Sequence, residues 1–170
     1  MSSELRVDKI IPTGGIPTGG GGGVIQVVSF TTQTKTIINS GTTFVDTGVT
    51  ATITPKFATS KILVRYVANI SQTSADGNGI LRLIKDASVM TGFVGSDGTV
   101  ANGSSFVRLN SHWEVGSFSN EILDTAGTTN AITYQLQWSM ESGRTIYLNR
   151  RGGSAEYGAV STITVMEVSA

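Results

Sequence analysis

The sequence predicts an all-β protein: a β-sandwich head of the jelly-roll type with an extended N-terminal arm that is rich in glycine and proline. Apolar and polar residues alternate in several short runs, as they do in strands that bury one face. Turn residues separate these runs at short intervals, which is typical of sandwiches and barrels. Only 14% of the residues are charged, and Thr, whose branched side chain suits a pleated surface, is abundant.

Residues 1–23 form the predicted arm, because their composition differs from that of the remaining chain. The five-residue repeat Ile-Pro-Thr-Gly-Gly occurs twice within residues 11–20, and three further glycines follow it. Pro cannot donate a ladder hydrogen bond, and Gly loses the most backbone entropy on ordering. We therefore predict that residues 12–23 form neither helix nor regular strand and act as a flexible tether.

The start of the arm carries apolar side chains that would be a liability without a partner. Within residues 4–11 these are Leu5, Val7, Ile10 and Ile11. A short extended peptide of this kind is suited to adding a strand to the sheet edge of another protein. We predict that these four residues form a docking arm; a disordered tail is the alternative.

The head domain is predicted to comprise residues 24–170, and its first strands follow from period-two patterns. Residues 24–30 are predicted to form a strand, and a turn at residues 39–41 precedes the short predicted strand at 43–46. Val, Ala and Ile alternate with Thr over residues 49–53, and Pro55 ends that run because proline interrupts a sheet ladder.

Residues 60–70 form the longest predicted strand. One of its faces is fully apolar and the other is mixed, which indicates partial cover of the second face. A segment rich in turn residues follows at 74–79. Residues 80–85 are therefore predicted to pair with residues 60–70 as a hairpin, and residues 88–93 as a further short strand.

The last predicted strands occupy the C-terminal third. Residues 106–115 are assigned to one strand, which ends before a turn at Gly116. Residues 132–140 form the cleanest amphipathic strand in the chain. Residues 145–149 and 161–168 complete the set.

The inward side chains of these strands define a predicted core. They are large and apolar, and they share the parity of the buried face: Ile53, Ile62, Val64, Tyr66, Leu81, Leu83, Leu136, Trp138, Ile163 and Val165. Trp113 lies on an apolar face of the predicted strand 106–115, so both tryptophans are expected in the core.

The basic residues near the C-terminus form the only cluster of positive charge, and two tyrosines lie close to them in sequence. This candidate ligand-contact group comprises Arg144, Arg150, Arg151, Tyr147 and Tyr157. The cluster could bind an acidic glycan or a phosphate. Ion pairs with Glu141 and Glu156 at strand ends are the structural alternative.

The composition excludes several classes of chemistry. The chain has no Cys and one His, so disulfides, thiolate catalysis and metal sites built from Cys or several His are excluded. Twelve basic and 12 acidic residues balance, which gives no electrostatic reason to expect nucleic acid or an anionic membrane as a partner. We expect no catalytic residues, no metal, no cofactor and no membrane insertion.

Several short segments resemble a known group of proteins. They are the opening Ser-Glu-Leu-Arg-Val-Asp-Lys-Ile at residues 3–10 before the glycine run, and the segments at 24–28, 50–55, 59–64 and 161–168. This chain is similar in these segments to small fibre-type virion proteins of tailed bacteriophages, particularly those of cyanobacteria. The resemblance implies a trimer of β-sandwich heads on an N-terminal attachment segment, and no catalytic residues.

The expected function is therefore that of a non-enzymatic structural virion protein, either a tail fibre or a head fibre. The arm would attach it to a tail or capsid protein, and the homotrimeric head would lie at the particle surface for adsorption to the host, with a surface glycan as a candidate receptor. Synthesis would take place in the host cytoplasm. The alternatives are a capsid decoration or cement protein and a stand-alone carbohydrate-binding module.

Overall fold

The computed structural model describes residues 23–38, 41–73, 77–96, 102–141, 144–154 and 156–169. These residues form eleven strands, all paired antiparallel in two sheets. In chain order the strands are β1 (Val24–Thr32), β2 (Thr36–Ile38), β3 (Val45–Ile53), β4 (Lys61–Gln72), β5 (Asn78–Lys85), β6 (Ser88–Val89), β7 (Ser105–Arg108), β8 (Gly116–Thr125), β9 (Ile132–Met140), β10 (Ile146–Leu148) and β11 (Ser161–Val168). The arm, including the docking residues Leu5, Val7, Ile10 and Ile11, lies outside the described residues except for Gly23.

The first sheet is built around β4, the longest strand. β8 pairs with one edge of β4, while β11 and then β10 pair with the other. β1 pairs with β11, and β2 pairs with β10. The strand order is therefore β8–β4–β11–β1. Towards the Gln72 end of β4, β10 takes the place of β11 beside β4, and β2 takes the place next to β10.

The second sheet has the order β3–β9–β5, and β7 and β6 share the outer edge of β5. Side chains from both sheets form one buried apolar cluster. All ten predicted core residues belong to this cluster, so this part of the prediction is confirmed. The two sheets also confirm the predicted all-β class.

The structure corrects the predicted hairpin between residues 60–70 and 80–85. These segments lie in β4 and β5, which belong to different sheets. β5 instead turns back into the short strand β6 through Asp86 and Ala87. A 3-10 turn, Thr91–Phe93, follows β6, so the predicted strand at 88–93 is largely wrong.

The prediction for residues 106–116 is also wrong. The strand β7 ends at Arg108 and a loop follows, whereas Gly116 begins β8 and is not a turn. β8 was missed because it is an edge strand on which exposed and partly buried residues alternate. Of its inward-facing residues, only Phe118 and Ile122 are large and apolar. The alternation of apolar and polar residues that predicts a strand is therefore weak in this segment.

The sheets have two ends, and they differ in what they carry. At one end, which we name the proximal pole, Ser169 N donates to Gly23 O at 3.0 Å, so the arm joins the head beside the last described residue. Val168 pairs there with Lys61, the first residue of β4. The opposite end, the distal pole, carries residues 109–115, 149–154 and 156–160, and Gly152 of this group lies against the carbonyl of Gln72, the last residue of β4. The 12 residues of β4 separate the poles by about 36 Å.

Among the described residues, no helix has the length and apolar character needed to cross a membrane.

Candidate functional site

The distal pole carries a cluster of exposed aromatic rings and arginines. Its centre is Arg151, whose guanidinium carbon lies 4.5 Å from the ring centroid of Trp113 and 4.2 Å from that of Tyr157. Trp113 is 55% exposed and Tyr157 is 60% exposed. The ring of His112 lies against Trp113, with 4.5 Å between the centroids. We name these four residues the aromatic–arginine cluster.

Two glycines allow the loops of the cluster to approach each other. A β-carbon on Gly152 would overlap the carbonyl group of Gln72, and one on Gly153 would lie 2.8 Å from ring atoms of both His112 and Trp113. Gly153 N also donates to His112 O at 3.0 Å. Only glycine permits this close contact, so the local sequence fixes the position of the Trp113 loop against the Arg151 loop.

Asn149 anchors the start of the Arg151 loop. Its φ of +58° lies in the left-handed region, which Asn tolerates better than most residues. Its Nδ2 donates to Thr32 O at 2.9 Å and Thr34 O at 3.1 Å, and Ser161 Oγ donates to its Oδ1 at 2.6 Å. The backbone that carries Arg150 and Arg151 is therefore tied to β1 and β11.

A second arginine–aromatic contact lies next to the first. The guanidinium carbon of Arg150 is 4.4 Å from the ring centroid of Tyr147, and its Nε donates to Arg151 O at 3.2 Å. Each cation–π contact of this kind is worth about 0.5–2 kcal/mol, depending on exposure. The two guanidinium groups are therefore held in place by rings and by backbone.

Neither Arg150 nor Arg151 pairs with a carboxylate of the described residues, which argues against the structural alternative for these two arginines. Glu141 instead accepts hydrogen bonds from Asn78 N and Asn78 Nδ2, at 3.3 and 3.1 Å. Within the described structure, Nε of Arg151 is buried and has no hydrogen-bond partner. The positive charge at this pole is thus not neutralised by a contacting acid.

Four of the five predicted ligand-contact residues come together in these contacts: Tyr147, Arg150, Arg151 and Tyr157. Arg144 has a different setting, beside Gly77, and its backbone N–H donates to Glu141 O at 3.2 Å. The expectation that Trp113 lies in the core is wrong, because residues 109–115 form a loop and Trp113 is 55% exposed. A strand over residues 106–115 also gives no reason to place Trp113 and His112 beside Arg151. The usable signal was Asn110-Ser111, a turn pair whose Ser111 Oγ accepts from Trp113 N at 3.1 Å.

A separate polar network joins β8 of the first sheet to β5 and β9 of the second sheet near the proximal pole. Asp124 Oδ2 accepts from Lys85 Nζ and from Tyr134 OH, both at 2.7 Å. Burial and the hydrogen bond to Asp124 raise the pKa of Tyr134, so its hydroxyl remains a donor. This network links β8 to β5 and β9, which is a structural role. Within the described ranges, no group of three or more metal-ligating side chains occurs.

Comparison with the models of known protein families gives no match for this chain, and comparison with curated proteins gives none either.

Proposed function

We propose that this chain is a non-enzymatic structural protein of a bacteriophage virion, a tail fibre or a head fibre, that displays its head for adsorption to the host. The observation that carries the proposal is the separation of the two poles. The arm joins the head at the proximal pole, and the aromatic–arginine cluster lies at the distal pole. A head anchored through residues 1–23 would therefore present the cluster outward.

The strand connections support the jelly-roll assignment within this proposal. The first sheet has the order β8–β4–β11–β1 and the second has β7–β5–β9–β3. The chain crosses between the sheets six times, from β2 to β3, β3 to β4, β4 to β5, β7 to β8, β8 to β9 and β9 to β10. Two four-stranded sheets connected in this alternating way are the arrangement of a jelly roll, which is common in capsid proteins.

An apolar row on the outer face of the first sheet supports an oligomeric head, for which we propose a homotrimer. The row crosses all four strands, because Val27 pairs with Met166, Met166 with Leu63, and Leu63 with Leu123. Val27 is 54% exposed and Leu123 is 58% exposed. A contiguous apolar strip on a sheet face is suited to burial against another subunit.

The attachment role is tested by deleting residues 1–23. Of the hydrogen bonds between described residues, a variant that begins at Val24 loses those between Gly23 and Ser169. We expect it to keep its circular dichroism spectrum and to be absent from purified particles, as measured by immunogold electron microscopy with an antibody to residues 24–170. The full chain is the control. Normal incorporation of the truncated chain would contradict the arm as the attachment device.

The same labelling distinguishes the remaining alternatives. Gold on the tail supports a tail fibre, whereas gold on the capsid supports a head fibre or a decoration protein. The exposed Trp113 favours a second candidate, a stand-alone carbohydrate-binding module, because surface tryptophans pack against sugar rings. That candidate predicts a monomer and no label on any particle.

A further inference from the structure

We propose that the aromatic–arginine cluster binds an anionic saccharide, a sugar unit that carries a carboxylate or a sulfate group. The inference specifies the ligand class for the proposed adsorption role. It depends on that role only for the orientation of the distal pole towards the host. The binding itself depends only on the cluster, so it can be measured on the isolated full chain.

The rings supply the surface that a sugar requires. Trp113 and Tyr157 expose more than half of their surface at the tip of the fold, and both are held by Arg151. One face of a pyranose ring is lined with C–H groups, which pack on aromatic side chains. Tyr and Trp also carry a polar group at the ring edge, which can hydrogen-bond to sugar hydroxyls.

The arginines supply the preference for negative charge. A guanidinium group donates a planar pair of hydrogen bonds that matches a carboxylate or a sulfate. Arg151 is stacked between the rings of Trp113 and Tyr157. Its Nε is buried, so its two terminal nitrogens are the donors proposed for the ligand, and no described carboxylate pairs with them. Arg150 directly precedes Arg151 in sequence, and its guanidinium group lies against the ring of Tyr147 in β10. An acidic group on the sugar would thus bind guanidinium groups that the aromatic rings already hold in position.

Close contacts and backbone hydrogen bonds hold the two loops of the cluster together in the absence of a ligand. Gly152 and Gly153 allow direct contact between the two loops, and Asn149 fixes the backbone at the start of the second loop. Ligand binding therefore needs little ordering of side chains, which is a main cost of association.

A localised anion fits this pole better than an extended polyanion. Glu114 and Glu156 are exposed and are the sequence neighbours of Trp113 and Tyr157 respectively. These carboxylates would repel a phosphate backbone that runs across the surface, and the chain as a whole has a formal charge of zero. A saccharide with one acidic group per sugar unit can place that group on Arg151 and its remaining atoms on the rings.

The test measures binding of defined probes to the full chain. Oligogalacturonate provides carboxylates, dextran sulfate provides sulfates, dextran is the neutral control and single-stranded DNA is the polyanion control. Because Trp138 is buried and Trp113 is exposed, a change in the fluorescence of the exposed tryptophan reports binding at the cluster. We expect binding of at least one acidic saccharide and none of dextran.

Variants assign the binding to the cluster. R151A and R151K should each weaken the binding about tenfold or more, as expected for the loss of one charge-assisted hydrogen bond; the lysine keeps the charge but not the planar group. W113A should weaken it similarly in calorimetry. R65A removes an exposed arginine on the outer face of the first sheet and should leave the affinity unchanged. Thermal unfolding of each variant serves as the check on folding.

Each outcome bears on the inference. Preference for oligogalacturonate assigns a carboxylate ligand, and preference for dextran sulfate assigns a sulfate. Equal binding of dextran, tighter binding of DNA than of either acidic saccharide, equal losses for R65A and R151A, or no binding at all would overturn the inference. Any of these results would leave the attachment role of residues 1–23 intact, while failure of the deletion experiment would leave the saccharide site intact.

Discussion

Ala87 adopts a backbone conformation that its side chain disfavours. Asp86 and Ala87 form the two-residue turn between β5 and β6, with φ values of +47° and +66°. A turn with two consecutive positive φ values favours glycine at its second position. We predict that A87G stabilises the protein by about 1 kcal/mol, the cost of a left-handed L-residue, in denaturant unfolding.

The control for this prediction is A131G. Ala131 is exposed and is not among the residues with positive φ, so the same substitution there should give no gain in stability. An equal gain at both positions would show that the turn geometry is not the cause.

Glu167 is a buried carboxylate at the proximal pole. Its Oε1 accepts from the backbone N–H of Lys56 at 2.8 Å and of Phe57 at 3.2 Å, and its Oε2 accepts from Gln26 Nε2 at 2.6 Å. Desolvation raises the pKa of Glu167, but the hydrogen bonds from Gln26 and from the Phe57 and Lys56 backbone outweigh it, so the pKa is lowered from 4.5. The carboxylate clamps the segment between β3 and β4 to β11.

The lowered pKa predicts how stability depends on pH. The ionised form of Glu167 is favoured in the folded state, so its contribution is present above about pH 4.5 and is lost as the pH falls through the lower folded value. We predict that E167Q is less stable at pH 7 by about 1–3 kcal/mol, because the buried donors lose part of their acceptor. The gap between the two proteins should narrow below pH 4.5.

Denaturant midpoints measured between pH 7 and pH 3 check this prediction. E121Q is a matched control, because Glu121 is exposed on the outer face of the first sheet. A constant difference between E167Q and the natural protein across this range would contradict the assigned ionisation.

At the scale of the element, β8 determines whether the outer apolar row can serve as an interface. It supplies Leu123, the most exposed member of the row. Among the described strands, only β4 pairs with β8, which leaves its other edge unpaired by them. If the head is the proposed homotrimer, we predict that L123R converts it to a monomer in analytical ultracentrifugation with little change in thermal stability, since a charge there would have to be buried at the contact.

F106R is the control for L123R. Phe106 is also an exposed apolar residue of an edge strand, but it lies in the second sheet. It should leave the oligomer unchanged. Loss of the oligomer in F106R alone would move the proposed interface to the second sheet.

Strands buried on one face were predictable, and strands at the edges were not. β9 and β11 match their predicted bounds because every second side chain is fully buried, which imposes a strict period of two. β8 buries little, and the short β2 has three residues, so neither leaves a clear pattern. Sheet membership was not predictable from local turn signals either, since the segment between β4 and β5 has turn composition but leads into the other sheet.

The part of the candidate site that comes from one stretch of sequence was predictable, and the part that comes from a second loop was not. Arg150, Arg151, Tyr147 and Tyr157 are close in sequence, so their proximity needed no tertiary information. Trp113 comes from a different loop, and its contact with Arg151 depends on how the glycines at 152 and 153 pack on Gln72 and His112. Only the assembled sheets bring these loops to the same pole.

For the whole molecule, the fold separates the two regions to which we assign the proposed roles of attachment and ligand binding. The proximal pole contains the arm junction and the Glu167 clamp, and the distal pole contains the aromatic–arginine cluster. β4 runs from one pole to the other and pairs with both β8 and β11. Changes at the cluster are therefore expected to leave attachment unaffected, and changes to the arm are expected to leave ligand binding unaffected.

The contact between Gly23 and Ser169 has a further consequence for engineering. Because the first and last described residues of the head are hydrogen-bonded neighbours, a short peptide could join them and the chain could be reopened at the Asp86–Ala87 turn. Such a circular permutant would keep every strand pairing. A reporter protein fused after Ser169, by contrast, would emerge beside the arm and leave the opposite end of the head unobstructed.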